Sequence, residues 1–309
     1  MMNPIIYIIG AGAVGKVLAL ALKQKKQEVV VIRGSIAEGP LRKENVKLLL
    51  QNDTLLTEDI EINTLAHFSH LKGIVVLTNK SYGNRRLAKL LKDKIGNSPI
   101  VLMQNGLGIE APFLEQGFTE VYRAVLFLTS QFTQDGTISY KPVSISPIGT
   151  ISAKHSELHH VVSQLQTPLL EFKAETHIQE IIWEKAIANS VFNSICPLLD
   201  IDNGIFHREP KVMDLAKRVI AECLLVAKAQ GIVLKQKSLE ARVLLISEKS
   251  DGQFISTLQD IRKGRETEID TLNLEFLRIA QTLQQEHLIR ETALLGELTK
   301  LKSILKMKS

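Results

Sequence analysis

The feature that most constrains this 309-residue chain is a glycine-rich loop near its start, between a short apolar run and a helix-like segment. Residues 5–9 are apolar and of strand length, and the pattern G-x-G-x-x-G follows at once at 10–15. Residues 16–26 carry apolar side chains at helical spacing, and residues 28–32 form a second apolar run. A strand, this loop, a helix and a strand within about 30 residues predict a Rossmann-type βαβ unit that binds a dinucleotide.

The residue types of the loop suit a pyrophosphate. Glycines permit a tight turn and the close approach of phosphates, and the N-terminus of the helix offers free N–H groups. The residues expected against the cofactor are Gly10, Ala11, Gly12, Ala13, Val14 and Gly15. Two alternatives stay open. One is a phosphate loop of the nucleoside-triphosphate type. Gly10, Gly15 and Lys16 fit its pattern, but Val17 stands where that loop needs Ser or Thr. The other is a glycine turn that binds no ligand.

The end of the second predicted strand indicates which dinucleotide is bound. An NAD site usually has Asp or Glu there, whereas this strand ends in Arg33, followed by Gly34 and Ser35. An arginine suits a 2′-phosphate through charge-assisted hydrogen bonds, so NADP(H) is preferred. The alternative is a surface arginine in a turn.

Two further apolar runs, at 73–77 and 99–103, lead into polar loops that contain Lys80 and Asn105. Because the carboxyl ends of parallel strands bind ligands in open α/β sheets, both residues are candidates to face cofactor or substrate. As isolated residues, each could equally be an ordinary turn residue.

The remaining strands of the first half are expected to be short. They are predicted at 46–50 and 59–62, as alternating strands within 121–147 with a turn at 135–136, and near 171–174, with a helix at 155–166 before the last of these. His155, His159 and His160 have helical spacing but no acidic ligand set, so a solvated helix face is expected and not a metal site.

After about residue 175 the alternation of strands and helices stops, which predicts a Rossmann-type domain at 1–175 and an all-α domain at 176–309. Pro197 should end the first helix, and Gly231 should cap another. The predicted helices are 179–195, 210–229, 236–247, a short one before Arg262, 264–285 and 291–305.

Two polar stretches of the second half stand out. Lys185, Asn189 and Asn193 lie at i, i+4 and i+8 on a largely apolar helix, so they share one face. This strip could be a solvated face or could face a ligand. In the mixed-charge stretch 256–270, Ser256 and Thr257 could open a helical turn and Glu268 could face inward, although an exposed salt-bridged surface is the alternative.

Composition narrows the possible partners. The net charge of +5 is modest and spread along the chain, and aromatics make up 5%, so nucleic-acid binding is not favoured and a small anionic ligand accounts for the positive charge equally well. Cys196 and Cys223 allow no disulfide framework or thiolate metal site. The apolar start lacks a positively charged n-region, and no stretch reaches the length of a membrane span. We therefore expect a soluble cytoplasmic protein without a membrane or nucleic-acid partner, as a monomer or homodimer.

With these motifs the chain resembles the ketopantoate reductase (2-dehydropantoate 2-reductase) family over essentially its whole length. The motifs are G-A-G-A-V-G at 10–15, K-S-Y at 80–82, Q-N-G-L-G at 104–108, the Lys185 helix, D-N-G at 202–204 and the stretch 256–270. The resemblance implies NADPH-dependent reduction of ketopantoate to pantoate, in the pathway to pantothenate and coenzyme A. It also implies an α/β fold whose all-α C-terminal domain is like that of 6-phosphogluconate dehydrogenase.

The resemblance further implies a role for each candidate residue. Lys185 is the general acid that protonates the ketone oxygen, and Glu268 is the carboxylate that organises the far side of the cleft. Arg33, Lys80 and Asn105 fall on cofactor positions, and Asn105 contacts both ligands. The polar partners of the substrate are Asn105, Lys185, Asn189, Asn193, Asn203 and Ser256.

The chain departs from the family pattern at Gly83, at 139–142 and at Gln253. These departures leave two alternatives open: a reductase of another 2-keto acid or imine, and a dinucleotide-binding regulator that has lost catalysis.

Overall fold

The computed structural model describes residues 3–34, 36, 38–154 and 157–308, so Ser35 and His155 lie outside the described residues. The chain divides into two compact units. The first comprises Met1–Gln104 and Ile109–Ile178, and the second comprises Asn105–Gly108 and Gln179–Ser309. The predicted boundary between residues 175 and 176 stays a prediction about folding domains.

The first unit is built on one sheet. Its strands are β1 (Ile5–Ile9), β2 (Val29–Arg33), β3 (Arg42–Leu49), β4 (Leu55–Thr64), β5 (Gly73–Leu77), β6 (Ile100–Leu102), β7 (Val121–Ala124), β8 (Leu128–Phe132), β9 (Ile138–Pro142), β10 (Ser146–Ser152) and β11 (Phe172–Ala174). Its helices are α1 (Ala13–Gln24), α2 (Asn84–Ile95), α3 (Ala111–Glu115) and α4 (Leu158–Leu165). The α/β class expected from the sequence is confirmed.

The strand order across the described sheet is β11-β10-β7-β6-β5-β1-β2-β4-β3-β9-β8. β1 pairs in parallel with both β2 and β5, and β5 pairs in parallel with β6. The loops that follow β1, β2, β5 and β6 therefore leave the sheet at the same edge. These loops contain the glycine motif, Arg33, Lys80 and Asn105.

β3 and β4 are longer than predicted and form an antiparallel pair in which Leu48 lies opposite Leu56. The sequence underestimates them because the missed residues are exposed or partly buried, and they mix polar and charged side chains with only a few apolar ones. Such strands lack the continuous apolar run of the buried parallel strands.

The second unit is helical. Its helices are α5 (Ile178–Leu199), α6 (Ile205–Arg208), α7 (Pro210–Ala229), α8 (Gln236–Lys249), α9 (Ser256–Arg262), α10 (Asn273–Thr282) and α11 (Arg290–Lys308). Short 3-10 turns at Ile269–Thr271 and Glu286–Leu288 flank α10. Trp183 of α5 packs edge-on against Phe276 of α10, with ring centroids 5.5 Å apart.

Two helix boundaries differ from prediction. Pro197 does not end α5, which continues to Leu199 and closes with Asp200 at positive φ and a hydrogen bond from Ile201 N–H to the Cys196 carbonyl at 3.1 Å. A proline in the last turn loses only one N–H, so the helix tolerates it. The predicted helix 264–285 does not begin at Gly264, because this glycine, at φ +60°, ends α9. Gly231 caps α7 as predicted.

Among the described residues, none of the helices has the length and apolar character needed to cross a membrane.

Candidate active site

The glycine loop between β1 and α1 is tightly held at both ends. Gly10 has φ +131°, its N–H donates to the Ile32 carbonyl at 2.8 Å, and its own carbonyl accepts from Thr78 Oγ1 at 2.9 Å. A Cβ on Gly15 would lie 1.9 Å from the Gly10 carbonyl oxygen. Both positions therefore require glycine for packing.

Gly12 has a different environment. A Cβ built on it would meet nothing within 4 Å, and it caps α1, whose first turn carries no acidic side chain. Open space in front of helix N–H groups is what a pyrophosphate needs, so the loop fits the predicted cofactor. The neighbouring Lys16 forms an ion pair with Glu44 of β3, which argues against a triphosphate loop that would use this lysine.

Arg33, at the end of β2, is only 9% exposed. Its Nη2 donates to the Pro40 carbonyl at 2.8 Å, and its Nε is a buried nitrogen for which the described residues supply no hydrogen-bond partner. The side chain is therefore not a solvated turn arginine, and it retains donor capacity that an anion could use.

The loops after β5 and β6 are braced by a reciprocal amide pair. Asn84 Nδ2 donates to Gln104 Oε1 at 3.0 Å, and Gln104 Nε2 donates back to Asn84 Oδ1 at 2.6 Å. Asn79 Nδ2 donates to the Lys80 carbonyl at 2.9 Å. This pair fixes Gln104, which directly precedes Asn105, and Asn84, which lies four residues after Lys80. Lys80 and Asn105 are both half-buried.

In the helical unit, Lys185, Asn189 and Asn193 follow one face of α5. Lys185 and Asn189 are half-buried, and Asn193 is buried. Asn193 Nδ2 donates to the Asn189 carbonyl at 3.0 Å. The solvated-face alternative is therefore wrong for Asn193.

The start of α9 meets the same amide. Asn193 Oδ1 accepts from Thr257 Oγ1 at 2.7 Å and lies 3.4 Å from Ser256 Oγ. The structure thus brings Ser256 and Asn193 together, and it adds the buried Thr257, which sets the orientation of the Asn193 carboxamide.

Asn203 lies in a turn that is held from several sides. Its N–H donates to the Gln253 carbonyl at 2.9 Å, and its carbonyl accepts from Ser247 Oγ at 2.7 Å. Its side-chain Oδ1 is buried and finds no partner among the described residues. A buried acceptor of this kind is suited to a ligand donor.

The neighbouring Asp202 organises the turn electrostatically. Burial acts to raise the pKa of its carboxyl, but hydrogen bonds from Arg208 and from the N–H groups of Gly204 and Gly252 outweigh that effect and lower the pKa to about 2. The carboxylate is therefore ionised over the whole physiological range.

Glu268 directly precedes the 3-10 turn and is 9% exposed. Its carbonyl accepts from Thr271 N–H at 3.0 Å and Thr271 Oγ1 at 3.1 Å, and the Thr271 carbonyl accepts from Leu107 N–H at 2.8 Å. The Asn105–Gly108 loop and the Glu268 segment are therefore joined through Thr271.

Two family models cover most of the chain. The model described as "Ketopantoate reductase PanE/ApbA" matches residues 6–150, and "Ketopantoate reductase PanE/ApbA C terminal" matches residues 177–293. The chain belongs to the ketopantoate reductase family.

A curated relative carries the name of this enzyme family, and two solved structures have a similar fold. A 2-dehydropantoate 2-reductase from Pyrococcus horikoshii is 27% identical over 290 residues, which cover 91% of this chain and 92% of the relative. A PanE/ApbA family ketopantoate reductase from Ralstonia eutropha JMP134 has a TM-score of 0.82 at 21% identity, with 98% of this chain and 99% of that chain covered. D-mandelate dehydrogenase with NADH and anilino(oxo)acetate has a TM-score of 0.83 at 19% identity over the same shares. At these identities the two solved structures show the fold alone.

Two of the departures from the ketopantoate reductase family pattern differ in whether they contact a candidate site residue. Residues 139–142 lie in β9, where Tyr140 is buried and its hydroxyl donates to the Leu169 carbonyl, so this departure serves packing. Gln253, in contrast, accepts the N–H of Asn203 through its backbone.

The two described histidines of the cluster in the first unit lie on the exposed face of α4. His159 and His160 are exposed on α4, while His155 falls outside the described residues. No group of three or more His, Cys, Asp or Glu residues in the described chain is placed to hold a metal ion.

The sequence analysis missed Thr78, Thr257 and Asp202 as contributors to the site. Thr78 could have been suspected as a polar residue that directly follows a buried strand. Thr257 is expected from the sequence only as a residue that could open a helical turn with Ser256, and Asp202 had only its place in the D-N-G motif.

Proposed function

We propose that the protein catalyses the NADPH-dependent reduction of 2-dehydropantoate to pantoate, a step toward pantothenate and coenzyme A. The proposal rests on the polar face of α5, formed by Lys185, Asn189 and Asn193, in a chain of the ketopantoate reductase family. On this face, Asn193 is buried and lies against Ser256. The names of the curated relatives support the substrate.

The general acid in this proposal is Lys185. When bound, NADPH supplies a hydride to the carbonyl carbon. As negative charge builds on the ketone oxygen, the ammonium of Lys185 stabilises that charge and then transfers its proton to the oxygen. Glu268, buried in the same helical unit, is assigned to favour the protonated lysine and to orient the far side of the substrate.

The carboxamides bind an anionic keto acid without adding net charge to the site. Asn193 is pre-oriented by Thr257, and the buried Oδ1 of Asn203 is available to accept from a substrate hydroxyl. Asn105, Asn189 and Ser256 complete the proposed substrate contacts. Pre-organised amides reduce the entropy lost when the substrate is ordered.

The cofactor is assigned as NADP(H), against Gly10, Ala11, Gly12, Ala13, Val14 and Gly15, with Lys80 and Asn105 alongside. The support for the phosphate-bearing form is Arg33, whose buried guanidinium keeps an unpaired Nε at the end of β2. We also assign the protein to the cytoplasm, where the cofactor and a keto acid substrate are available.

The test combines purified protein, NADPH and a panel of 2-keto acids that includes 2-dehydropantoate. We expect NADPH oxidation to be fastest with 2-dehydropantoate, and we expect Lys185→Ala to lower kcat at least about 100-fold, since general acid catalysis contributes that much. Lys228→Ala, which removes an exposed lysine in the same helical unit, is the matched control. Intact turnover in Lys185→Ala would exclude the assigned role.

A second candidate is a reductase of the same type that acts on another 2-keto acid. The observation in its favour is Gln253, a departure from the family pattern whose backbone holds Asn203. A larger kcat/KM for a different member of the panel would favour this candidate. NADPH binding without reduction of any keto acid would instead indicate a regulator.

A further inference from the structure

Three hydrogen-bonding groups meet at the hydroxyl of Ser247, in α8. Ser247 Oγ donates to the Asn203 carbonyl at 2.7 Å. It accepts from the backbone N–H of His207 at 3.2 Å, and it lies 3.1 Å from Nδ1 of the same histidine. Ser247 is fully buried, whereas His207, in α6, is exposed. These contacts from His207 through Ser247 to Asn203 are here named the His207 relay.

The hydrogen-bonding capacity of the hydroxyl decides which ring nitrogen of His207 carries a proton. A serine hydroxyl has one hydrogen to donate and two lone pairs that accept. The hydrogen of Ser247 is used on the Asn203 carbonyl, because a carbonyl oxygen can only accept. Ser247 Oγ must therefore accept from His207 Nδ1, so Nδ1 is protonated. The two His207 donors and the Asn203 acceptor then use the whole capacity of the hydroxyl.

The direction of the Ser247 hydroxyl differs from that of an ordinary helix hydroxyl. Serine and threonine inside helices commonly donate to the carbonyl four residues earlier. Ser194 does so, with 2.7 Å between its Oγ and the Ser190 carbonyl. Ser247 instead donates outside its own helix. Because the two His207 donors occupy both lone pairs of Ser247 Oγ, its hydrogen takes the remaining position, toward Asn203.

The relay completes the fixation of the Asn203 backbone. The Asn203 N–H donates to the Gln253 carbonyl at 2.9 Å, and its carbonyl is held by Ser247. With both peptide groups held, the direction of the side chain is restricted. Its Oδ1 is buried and has no hydrogen-bond partner among the described residues. Loss of the Ser247 contact would leave the carbonyl of a buried residue unsatisfied and would free the Asn203 peptide to rotate.

Only the imidazole contact is specific to histidine. The backbone N–H of His207 belongs to the first turn of α6, which has no side-chain cap at Gly204, and Ser247 Oγ satisfies this N–H. Any residue except proline would offer the same N–H at position 207. The contact of Nδ1 with Ser247 Oγ requires a side-chain donor, so it separates the relay from the packing of α6.

We propose that His207 is a positioning residue for substrate binding, whose Nδ1–H acts through the Ser247 hydroxyl to hold Asn203 in place to accept from a substrate hydroxyl. This inference rests on the proposed function, because Asn203 is one of the substrate contacts assigned there. The proton transfer assigned to Lys185 is a separate step. The relay therefore affects substrate affinity and leaves the chemical step unchanged.

Steady-state kinetics tests the effect on the substrate. His207→Ala should raise KM for 2-dehydropantoate about fivefold, the size expected for one hydrogen bond, and should change kcat and KM for NADPH less than about twofold. His207→Asn should restore KM, because its amide nitrogen can lie close to the position of Nδ1, whereas the longer His207→Gln should not. His287→Ala, which removes an exposed histidine of the helical unit, is the matched control. An unchanged KM in His207→Ala, or an equal rise in all three His207 variants, would overturn the proposal.

A double-mutant cycle tests whether His207 acts through Ser247. Ser247→Ala removes the donor to the Asn203 carbonyl, so it should raise KM at least as much as His207→Ala. Adding His207→Ala to Ser247→Ala should raise KM by less than about twofold more, because the intermediate group is already absent. Circular dichroism and the fluorescence of Trp183 check that each variant keeps its fold. Additive effects of the two substitutions would contradict the relay.

Nitrogen NMR of isotope-labelled histidine detects the relay without turnover. At alkaline pH, where a histidine ring carries one proton, that proton should lie on Nδ1 of His207, and in Ser247→Ala it should shift toward Nε2. The spectrum of His207→Ala assigns the signal. A proton on Nε2 in the wild type would overturn the proposal. If the wild type reduced none of the keto acids, the proposed function would fail, and the position of this ring proton would still decide whether the relay exists.

Discussion

Arg33 is buried and has a hydrogen-bond donor without a partner among the described residues, which favours the binding of an anion. A guanidinium that is 9% exposed with an unpaired Nε is costly unless an anion completes its hydrogen bonds. The sequence could place this arginine at the end of the second strand because the strand itself is a clear apolar run. It could not show that the side chain folds back onto the Pro40 carbonyl.

At this residue we predict that Arg33→Asp raises KM for NADPH at least about tenfold, because a carboxylate repels a 2′-phosphate that the arginine attracts. KM for NADH should change less or fall, since a carboxylate can accept from a ribose hydroxyl. Steady-state kinetics with each cofactor measures the ratio. Lys47→Asp changes the charge of the same unit equally at an exposed position of β3 and should leave the ratio unaltered. An unchanged ratio in Arg33→Asp would mean that the guanidinium does not contact the 2′-phosphate.

Other single residues show where sequence reasoning ends. Asn193 was identified by its helical spacing with Lys185, a local property. Thr257, which orients the Asn193 amide, lies 64 residues further along the chain. No local pattern encodes a contact of this separation, so only the tertiary packing of α9 against α5 reveals it.

At the scale of elements, two glycines of the loop before α1 differ in function, although the sequence motif does not distinguish them. Gly15 packs against the Gly10 carbonyl, whereas Gly12 faces open space. Gly15 is therefore needed for the fold, whereas Gly12 leaves space in which a ligand can bind.

From this difference we predict opposite effects for two alanine substitutions. Gly15→Ala should lower the free energy of unfolding by more than about 2 kcal/mol, because its methyl group would meet backbone at 1.9 Å. Gly12→Ala should change that free energy by about 1 kcal/mol, the typical size for a helix-cap substitution, yet weaken NADPH binding at least about tenfold. Urea unfolding and a fluorescence titration with NADPH measure the two quantities. Wild-type NADPH affinity in Gly12→Ala would show that the pyrophosphate does not approach this glycine.

Helix ends were harder to predict than helix cores. Gly231 and Gly264 both occupy the left-handed region after a helix, but only the first was read as a cap. Around Gly264, polar residues on both sides continue an apparent helical pattern, so the sequence favoured one long helix. The hydrogen bond from Arg265 N–H to the Asp260 carbonyl at 2.8 Å closes α9 instead and leaves Glu268 in a separate segment.

At the scale of the whole molecule, the division into a sheet unit and a helical unit follows from where strands stop in the sequence. The assignment of residues 105–108 to the helical unit does not, because it depends on Thr271 and its contacts with Gly106 and Leu107. Trp183 lies in the helical unit and can report on its unfolding. It is the single tryptophan of the chain and packs against Phe276 inside the helical unit.

Acid stability of the helical unit provides a prediction that uses this reporter. The pKa of Asp202 is about 2 in the folded protein, against about 3.9 for an unfolded aspartate. A carboxyl whose pKa is lower when folded contributes stability above its unfolded pKa, and this contribution is lost as the pH falls through the folded pKa. Asp202→Asn should therefore lower the urea midpoint of the Trp183 transition at pH 7, and the difference from wild type should shrink from about pH 4 toward pH 2.

Asp214→Asn is the matched control for this series, since Asp214 also has a lowered pKa from its hydrogen bond with Lys217 but lies at the surface of α7. An exposed pair of this kind contributes little because solvent and salt screen it, so its variant should follow the wild-type pH profile. Asp202, in contrast, joins Arg208 and the N–H groups of Gly204 and Gly252, which belong to segments 48 residues apart. A Trp183 midpoint in Asp202→Asn that stayed below wild type by the same amount from pH 7 to pH 2 would show that ionisation of this carboxyl does not stabilise the unit. The substitution would then act only through the geometry of the turn that holds Asn203.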